Sequence, residues 1–129
     1  MKKEILTQNA PQPTGPYSQG LEADGFIFVS GQDGVHPNGE LAGDSITEQT
    51  IACLKNIEQI LKKAGAGLND IVHMTCHLAD LSKDNVYAFN QVYAAYFENV
   101  DSKPARITVG SVLMETSVEI TAIAYRKKE

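Results

Sequence analysis

The chain has 129 residues, 43% of them hydrophobic and 21% charged, and a formal net charge of −5. This length predicts one domain over residues 1–129, and the near-average composition excludes the disordered and fibrous classes. The acidic charge disfavours contact with a phosphate backbone, so no nucleic-acid partner is expected. No apolar run is long enough to cross a membrane, and the N-terminus lacks the apolar core of a secretory signal. The sequence therefore predicts a cytoplasmic protein.

The first half of the chain contains a loop, a strand and a helix. Residues 10–20 include three Pro and two Gly and predict an ordered loop. The apolar, β-favouring run 26–30 predicts a strand that ends at Gly31. Ser45 and Glu48 have the spacing of a helix capping box, and apolar residues then recur at steps of three and four. That helix is predicted to end at Gly65 or Gly67.

The second half alternates strands with a helix. The residues Val72, Met74, Cys76 and Leu78 alternate with polar residues, which predicts a strand whose one buried face carries these four side chains. A second helix is predicted from near Ser82 to Phe97, with one apolar stripe that consists of Val86, Phe89, Tyr93 and Tyr96/Phe97. Two strands follow, from 106 to about 112 and from 118 to 125.

The predicted order is ββαβαββ, with one further N-terminal strand left open. This order predicts an α+β fold in which one sheet carries both helices on one face. The other face would present a mixed set of side chains, namely His73, Thr75, His77, Glu119, Thr121, Ile123 and Tyr125. Such a face suits a subunit interface, so an oligomer is expected.

The positions of several residues argue against a metal site, a nucleophilic cysteine and a phosphate-binding loop. On a strand, His73 and His77 would lie about 13 Å apart, too far to share a zinc ion. Cys76 would face away from both neighbouring polar side chains, which disfavours a nucleophilic role. The Gly-rich segment 30–34 lacks the lysine and the helix of a phosphate loop. The backbone N–H groups at Gly31 remain candidates for contact with a ligand.

Two charged residues stand out. Arg106 is the only charged residue between Lys103 and Glu115. Its planar fork of donors suits a small carboxylate, although a surface arginine at the start of a strand is the alternative. Glu119 falls within the apolar alternation of the last strand, where it is either structurally paired or an acid/base group.

Five short strings appear in order along the chain: Gly15-Pro16-Tyr17-Ser18-Gln19-Gly20, Val29-Ser30-Gly31-Gln32, Phe89-Asn90-Gln91-Val92-Tyr93, Pro104-Ala105-Arg106 and Val118-Glu119-Ile120-Thr121-Ala122-Ile123-Ala124. With these strings, and with the predicted order of elements, the chain resembles the reactive intermediate deaminase family, RidA/YjgF, whose older label is L-PSP endoribonuclease. The resemblance extends from about residue 4 to residue 126.

The resemblance implies a chorismate-mutase-like fold and a homotrimer with a barrel-like core and clefts between subunits. It implies hydrolysis of reactive 2-imino and enamine acids, such as 2-iminobutyrate and 2-iminopropanoate, to 2-keto acids and ammonia, without metal or cofactor. The carboxylate-binding arginine of the family corresponds to Arg106, and its water-activating acid to Glu119. The other pocket residues implied are Tyr17, Ser30, Gly31 and Asn90.

Thr108 marks a departure from the family pattern. Many members have Cys two residues after the arginine, at the position where this chain has Thr108, which is also expected to line the substrate pocket. The difference leaves open a ligand-sensing or regulatory trimer that binds small 2-keto acids without turnover. A third function, endoribonuclease or translation inhibitor, rests on the older family label and is disfavoured by the acidic charge.

Overall fold

The computed structural model describes residues 1–127. The elements are β1 (Lys3–Ile5), β2 (Gly20–Ala23), β3 (Phe26–Asp33), α1 (Ile46–Lys63), β4 (Ile71–Leu78), α2 (Lys83–Tyr96), β5 (Ala105–Gly110) and β6 (Val118–Tyr125). One 3-10 turn, Leu68–Asp70, precedes β4. The predicted order ββαβαββ is confirmed from β2 to β6, and β1 is the additional N-terminal strand.

The six strands of this part of the chain form one mixed sheet in the order β1-β2-β3-β6-β4-β5. Strands β4 and β5 run parallel, whereas the other neighbouring pairs are antiparallel. The apolar sides of α1 and α2 pack together with the inner side chains of β3, β4 and β6 in one core. The α+β prediction, with both helices on one face of the sheet, is therefore confirmed.

The capping box predicted for α1 is present. The Ser45 side-chain oxygen accepts a hydrogen bond from the backbone N–H of Glu48, and the Glu48 carboxylate accepts one from the backbone N–H of Ser45. Gly65 follows the end of α1 with a φ of +81°, a conformation that favours glycine. Local sequence therefore sets both ends of this helix.

Strand β4 corrects one predicted position. Met74 and Cys76 are fully buried as expected, but Val72 is 44% exposed. The pairing of β4 with β6 shifts register between Ile71 and His73, so Ile71 takes the inward position that the alternation had given to Val72. An irregularity of this kind interrupts the alternation, so the inward positions of β4 are Ile71, Met74, Cys76 and Leu78.

Strand β3 does not end at Gly31, as predicted, but continues to Asp33. Val29 pairs with Ala122 and Gln32 pairs with Ile120, so two residues of β3, Ser30 and Gly31, lie opposite a single residue of β6. This arrangement is a β-bulge, which bends the strand and redirects its side chains.

A buried glutamine holds the predicted loop at 10–20. The side-chain oxygen Oε1 of Gln19 accepts a hydrogen bond from the backbone N–H of Thr7 at 2.7 Å. The side-chain amide nitrogen of Gln19 donates to the backbone oxygens of Thr7 and Pro11 at 3.0 and 2.9 Å. Gln19 is 1% exposed. The loop is therefore fastened to the domain from within, which places the neighbouring Tyr17.

The sheet face opposite the helices carries partly exposed apolar side chains. Phe26, Phe28, Ile107 and Tyr125 are between 40% and 51% exposed. Cross-strand pairs bring His73 beside Ile123 and Thr75 beside Thr121, as the alternation predicted. Neither α1 nor α2, the α-helices of residues 1–127, has the length and apolar character needed to cross a membrane.

Candidate functional site

Arg106 lies near the start of the edge strand β5, opposite the fully buried Met74 of β4. Its guanidinium carbon lies 4.7 Å from the centre of the Tyr93 ring and 5.6 Å from that of Phe89. Both rings belong to α2, one helical turn apart, so α2 provides an aromatic support for the cation. Within residues 1–127 no carboxylate forms an ion pair with Arg106.

The aromatic support is itself held in place. The Tyr93 hydroxyl donates a hydrogen bond to the Met74 sulfur at 3.3 Å, and the Phe97 ring lies 4.7 Å from the Tyr93 ring. Burial raises the pKa of Tyr93 to about 12, with a further rise from Cys76 and an opposing effect from Arg106. Tyr93 is therefore a neutral phenol at neutral pH.

Thr108 follows Arg106 on the same side of β5, opposite the buried Cys76. Its hydroxyl oxygen is buried and has no hydrogen-bond partner among the described residues. Burial raises the pKa of Cys76 to about 12, and Arg106 opposes the rise. Because the thiol stays protonated at neutral pH, Cys76 is a poor nucleophile, in agreement with the sequence-based interpretation.

Asn90 lies on α2 directly after Phe89 and is half-buried. The chain segment described contains no hydrogen-bond partner for its side chain. We call Phe89, Asn90, Tyr93, Arg106 and Thr108 the arginine cluster.

Glu119 occupies the other face of the sheet. Its neighbours in the chain, Val118 and Ile120, are fully buried on the helix side, so the Glu119 side chain points the opposite way. A Cβ atom built on Gly31 would collide with the Glu119 carboxylate. The Glu119 carboxyl group therefore lies directly over the bulge of β3, at the one position where a missing side chain leaves room for it.

Two titratable residues flank Glu119. Asp33 is its register partner on β3, and His77 is its partner on β4. Burial raises the pKa of Glu119, the charge of Asp33 raises it further, and the charge of His77 lowers it. Burial also raises the pKa of Asp33. The hydrogen bond that the Asp33 carboxylate accepts from Thr116 at 3.3 Å lowers this pKa.

Ser30 uses its hydroxyl to hold the bulge. It donates a hydrogen bond to the Ser18 carbonyl at 2.6 Å, while the His77 Nδ1 atom and the Ser111 hydroxyl lie 2.7 Å apart in a second hydrogen bond. We call Ser30, Gly31, Asp33, His77 and Glu119 the acid cluster.

Tyr17 lies in the loop one residue before Ser18 and is 49% exposed. Its hydroxyl oxygen lies 3.3 Å from both the backbone nitrogen and the hydroxyl group of Thr14. Through Ser18, Tyr17 is linked to the bulge and hence to the acid cluster.

The residues predicted for one pocket thus form two clusters in the single chain. Strands β6 and β4 lie between β3 and β5, so the bulge and the edge strand are about 14 Å apart at ordinary strand spacing. The arginine cluster lies on the helix side of the sheet and the acid cluster on the open side. The catalytic and binding roles predicted for their members remain predictions.

Sequence reasoning missed two parts of this arrangement. Phe89 and Tyr93 were predicted only as a core stripe, although their spacing also matches the support of one cation. Asp33 received no role because the strand was predicted to end at Gly31. No group of three or more His, Cys, Asp or Glu residues that could hold a metal ion occurs among residues 1–127.

The fold defines a class of small α+β proteins in which two helices cover one face of a mixed sheet and the other face is open. Within that class the chain belongs to the endoribonuclease L-PSP family, whose model matches residues 7–126. The resemblance to the RidA/YjgF group, which carries that older label, is confirmed.

Named relatives support this assignment. A RutC family protein of Pyrococcus horikoshii is 42% identical, over 98% of this chain and 100% of its own length. The 2-iminobutanoate/2-iminopropanoate deaminase of Mus musculus is 39% identical, over 98% of this chain and 93% of its own. The crystal structure of Escherichia coli TdcF with bound serine matches with a TM-score of 0.89 and 35% identity, over 97% of this chain and 99% of that one.

Proposed function

We propose that the protein hydrolyses reactive 2-imino and enamine acids, such as 2-iminobutanoate and 2-iminopropanoate, to 2-keto acids and ammonia. One observation carries the proposal. The Arg106 guanidinium lies on two aromatic rings and has no carboxylate partner among the described residues. A guanidinium group that packs on aromatic rings and forms no ion pair with the described residues is suited to bind a substrate carboxylate through two parallel hydrogen bonds.

The arginine cluster would fix the substrate at its carboxylate end. Tyr93 and Phe89 limit the motion of the guanidinium, and the half-buried Asn90 amide supplies a further polar contact. Orienting a small substrate in this way lowers the entropic part of the barrier.

The acid cluster would supply proton transfer. The Glu119 carboxylate takes a proton from water as the oxygen bonds to the imine carbon, and passes it to the imine nitrogen. In the second step Glu119 moves the hydroxyl proton of the carbinolamine to the nitrogen as the C–N bond breaks and ammonia leaves. Water is the only co-reactant that this balance requires. General acid/base catalysis of this kind contributes about 10²- to 10⁴-fold. Tyr17 and the backbone at Gly31 would orient the imine end.

Both clusters serve one substrate only if they come from different copies of the chain. We therefore propose a homotrimer in which the arginine cluster of one subunit faces the acid cluster of its neighbour. The partly exposed apolar residues of the open sheet face support such an assembly, because they would be covered between subunits.

A second candidate function is ligand sensing without turnover. It is favoured by the likeness to TdcF, a protein whose crystal structure contains bound serine, which is a small carboxylate. The same Arg106 site would bind a 2-keto acid, and Thr108 in place of the common Cys keeps this alternative open.

The test uses a pyridoxal-phosphate-dependent dehydratase to generate 2-aminocrotonate in the presence of the protein, with loss of the imine followed spectroscopically. We expect wild type to accelerate the loss and Arg106→Ala to reduce kcat/KM at least about 100-fold, since a charged bidentate contact is lost. The matched control is Arg126→Ala. Arg126 forms an exposed ion pair with Asp70 at 3.4 Å, far from both clusters in the sheet register, and its removal should leave activity unchanged.

Three outcomes separate the candidates. Absence of acceleration by wild type, or full activity in Arg106→Ala, contradicts the deaminase proposal. Binding of 2-oxobutanoate in a calorimeter without imine hydrolysis supports ligand sensing. Cleavage of single-stranded RNA that co-purifies with the oligomer and disappears in Arg106→Ala would support the endoribonuclease alternative.

A further inference from the structure

A row of three titratable side chains crosses the open face of the sheet. Asp33 on β3, Glu119 on β6 and His77 on β4 are directly paired across adjacent strands. Side chains paired in this way have Cβ atoms about 4.5–5.5 Å apart, close enough for their charges to interact. Glu119 is the middle member, with a carboxyl group on one side and an imidazole on the other.

The bulge of β3 creates this row. Without the extra residue, the strict alternation of β3 would turn Asp33 to the other face. The same bulge places Gly31 beneath the Glu119 carboxyl group, where any larger residue would collide with it. The Glu119 side chain is therefore confined close to both neighbours.

Each flanking residue is held by its own hydrogen bond. The Asp33 carboxylate accepts one from Thr116, and the His77 ring shares one with Ser111. These contacts orient the two side chains on either side of Glu119. The charge of Glu115 raises the pKa of Asp33. On the helix side of the sheet, burial is the main cause that raises the pKa of the Cys53 thiol of α1, so this thiol adds no charge.

We propose that Asp33 and His77 are positioning residues that set the protonation of Glu119 in opposite directions, Asp33 favouring the carboxylic acid and His77 the carboxylate. The inference rests on the proposed function, in which Glu119 must both accept a proton from water and return one to nitrogen. A carboxyl group flanked by an acid and a base is suited both to accept a proton from water and to return one to nitrogen.

The charges of Asp33 and His77 set the direction in which each residue shifts the ionisation of Glu119. A second negative charge beside Glu119 disfavours its ionisation and raises its pKa, as does the partial burial of the group. The positive charge of a protonated His77 stabilises the carboxylate and lowers the pKa of Glu119. Because the two carboxyl groups interact, they titrate as a pair, and a change at Asp33 is transmitted to Glu119.

The experiment follows the carboxyl carbon of Glu119 by NMR in the full-length protein labelled with ¹³C at glutamate, the signal being assigned by its loss in Glu119→Gln. In Asp33→Asn, which keeps the acceptor for Thr116, we expect the titration midpoint of Glu119 to move to lower pH. In His77→Asn, which keeps a polar partner for Ser111, we expect it to move to higher pH. The acid limb of the kcat profile for imine hydrolysis should move in the same two directions.

The control is Glu98→Gln, which removes an exposed carboxylate that acts on neither Asp33 nor Glu119. It should leave the Glu119 midpoint unchanged. Midpoints of Glu119 that stay fixed in both Asp33→Asn and His77→Asn, or that move in the same direction, would overturn the inference. If the midpoints move in opposite directions while wild type hydrolyses no imine, the proposed function fails and the electrostatic role of Asp33 and His77 stands.

Discussion

Arg106 and Glu119 extend from opposite faces of the same sheet. Arg106 is paired with the buried Met74, on the helix side, and Glu119 with His77, on the open side. A substrate of three or four carbons cannot contact both groups through the sheet. Under the proposed function, Arg106 and Glu119 would therefore meet only where one copy of the chain lies against another.

The first prediction tests this division by complementation. Arg106→Ala and Glu119→Gln, carried on differently tagged chains and co-expressed, should each be nearly inactive alone. In the proposed trimer, about one third of the interfaces of every oligomer that contains both variants combine an intact Arg106 with an intact Glu119. The purified mixed oligomer should recover about that share of wild-type activity.

Two results bear on this prediction. Oligomers that carry Arg106→Ala on both tags serve as the control and should stay inactive. Mixed oligomers that never exceed the activity of the single variants would contradict a site shared between subunits.

The second prediction concerns the bulge. Gly31→Ala should displace the Glu119 carboxyl group, because the added Cβ would occupy its place. A misplaced catalytic group typically costs about 10- to 100-fold in rate, and we expect a loss of that size in imine hydrolysis. Steady-state kinetics would measure it.

Gly67→Ala is the matched control. Gly67 has a φ of −146°, which any residue adopts, and no atom within 4 Å of an added Cβ. Its activity should equal that of wild type, and an equal loss in both variants would point to general damage.

The third prediction concerns the packing of α1. Ile57 is 0% exposed and Ile51, on the same helix, is 43% exposed. Ile57→Ala should lower the free energy of unfolding by about 2–5 kcal/mol, because it removes buried methyl groups and leaves a cavity. Ile51→Ala should cost about 1 kcal/mol or less.

Urea midpoints at one fixed protein concentration would provide the comparison, since the proposed assembly would make stability depend on concentration. A similar decrease in the free energy of unfolding for both variants would contradict the exposed position of Ile51. It would mean that another molecule covers Ile51 in solution.

The fourth prediction is a loss of stability at alkaline pH. Burial raises the pKa of Cys76 from 9.0 to about 12 and that of Tyr93 from 10.0 to about 12. The unfolded chain therefore loses these protons at lower pH than the folded one. The free energy of unfolding should fall as pH rises from about 9 toward 12 and should not depend on these groups below that range.

Urea unfolding between pH 8 and pH 11 would measure the slope. Cys76→Ala should give a shallower decline than wild type, whatever its stability at pH 8. An identical slope in both proteins would contradict a buried, protonated thiol at position 76.

Much of the fold follows from local sequence. The spacing of Ser45 and Glu48 predicted the start of α1, and the alternation of residues 118–125 predicted β6 with the bounds that the structure has. These signals act over a few residues, so a sequence shows them directly. The quoted strings likewise identified the family and drew attention to Arg106 and Glu119.

The errors arose where pairing between distant segments decides the outcome. The shift beside Val72 and the bulge at Gly31 are properties of how β6 pairs with β4 and β3. Alternation within a single strand cannot reveal an extra residue on its partner, so Asp33 was left outside the strand. The anchoring role of Gln19 also depends on a loop that folds back over it.

The sequence by itself therefore determined the class of fold and the family, and it singled out the two charged residues to which the proposed function assigns the chemistry. Only the tertiary structure decided that Arg106 faces the helices and Glu119 the open sheet, and that Asp33 and His77 flank Glu119. The physical reason is that helix caps and hydrophobic periods are set by neighbours in the chain, whereas strand register is set by contacts between segments far apart in it.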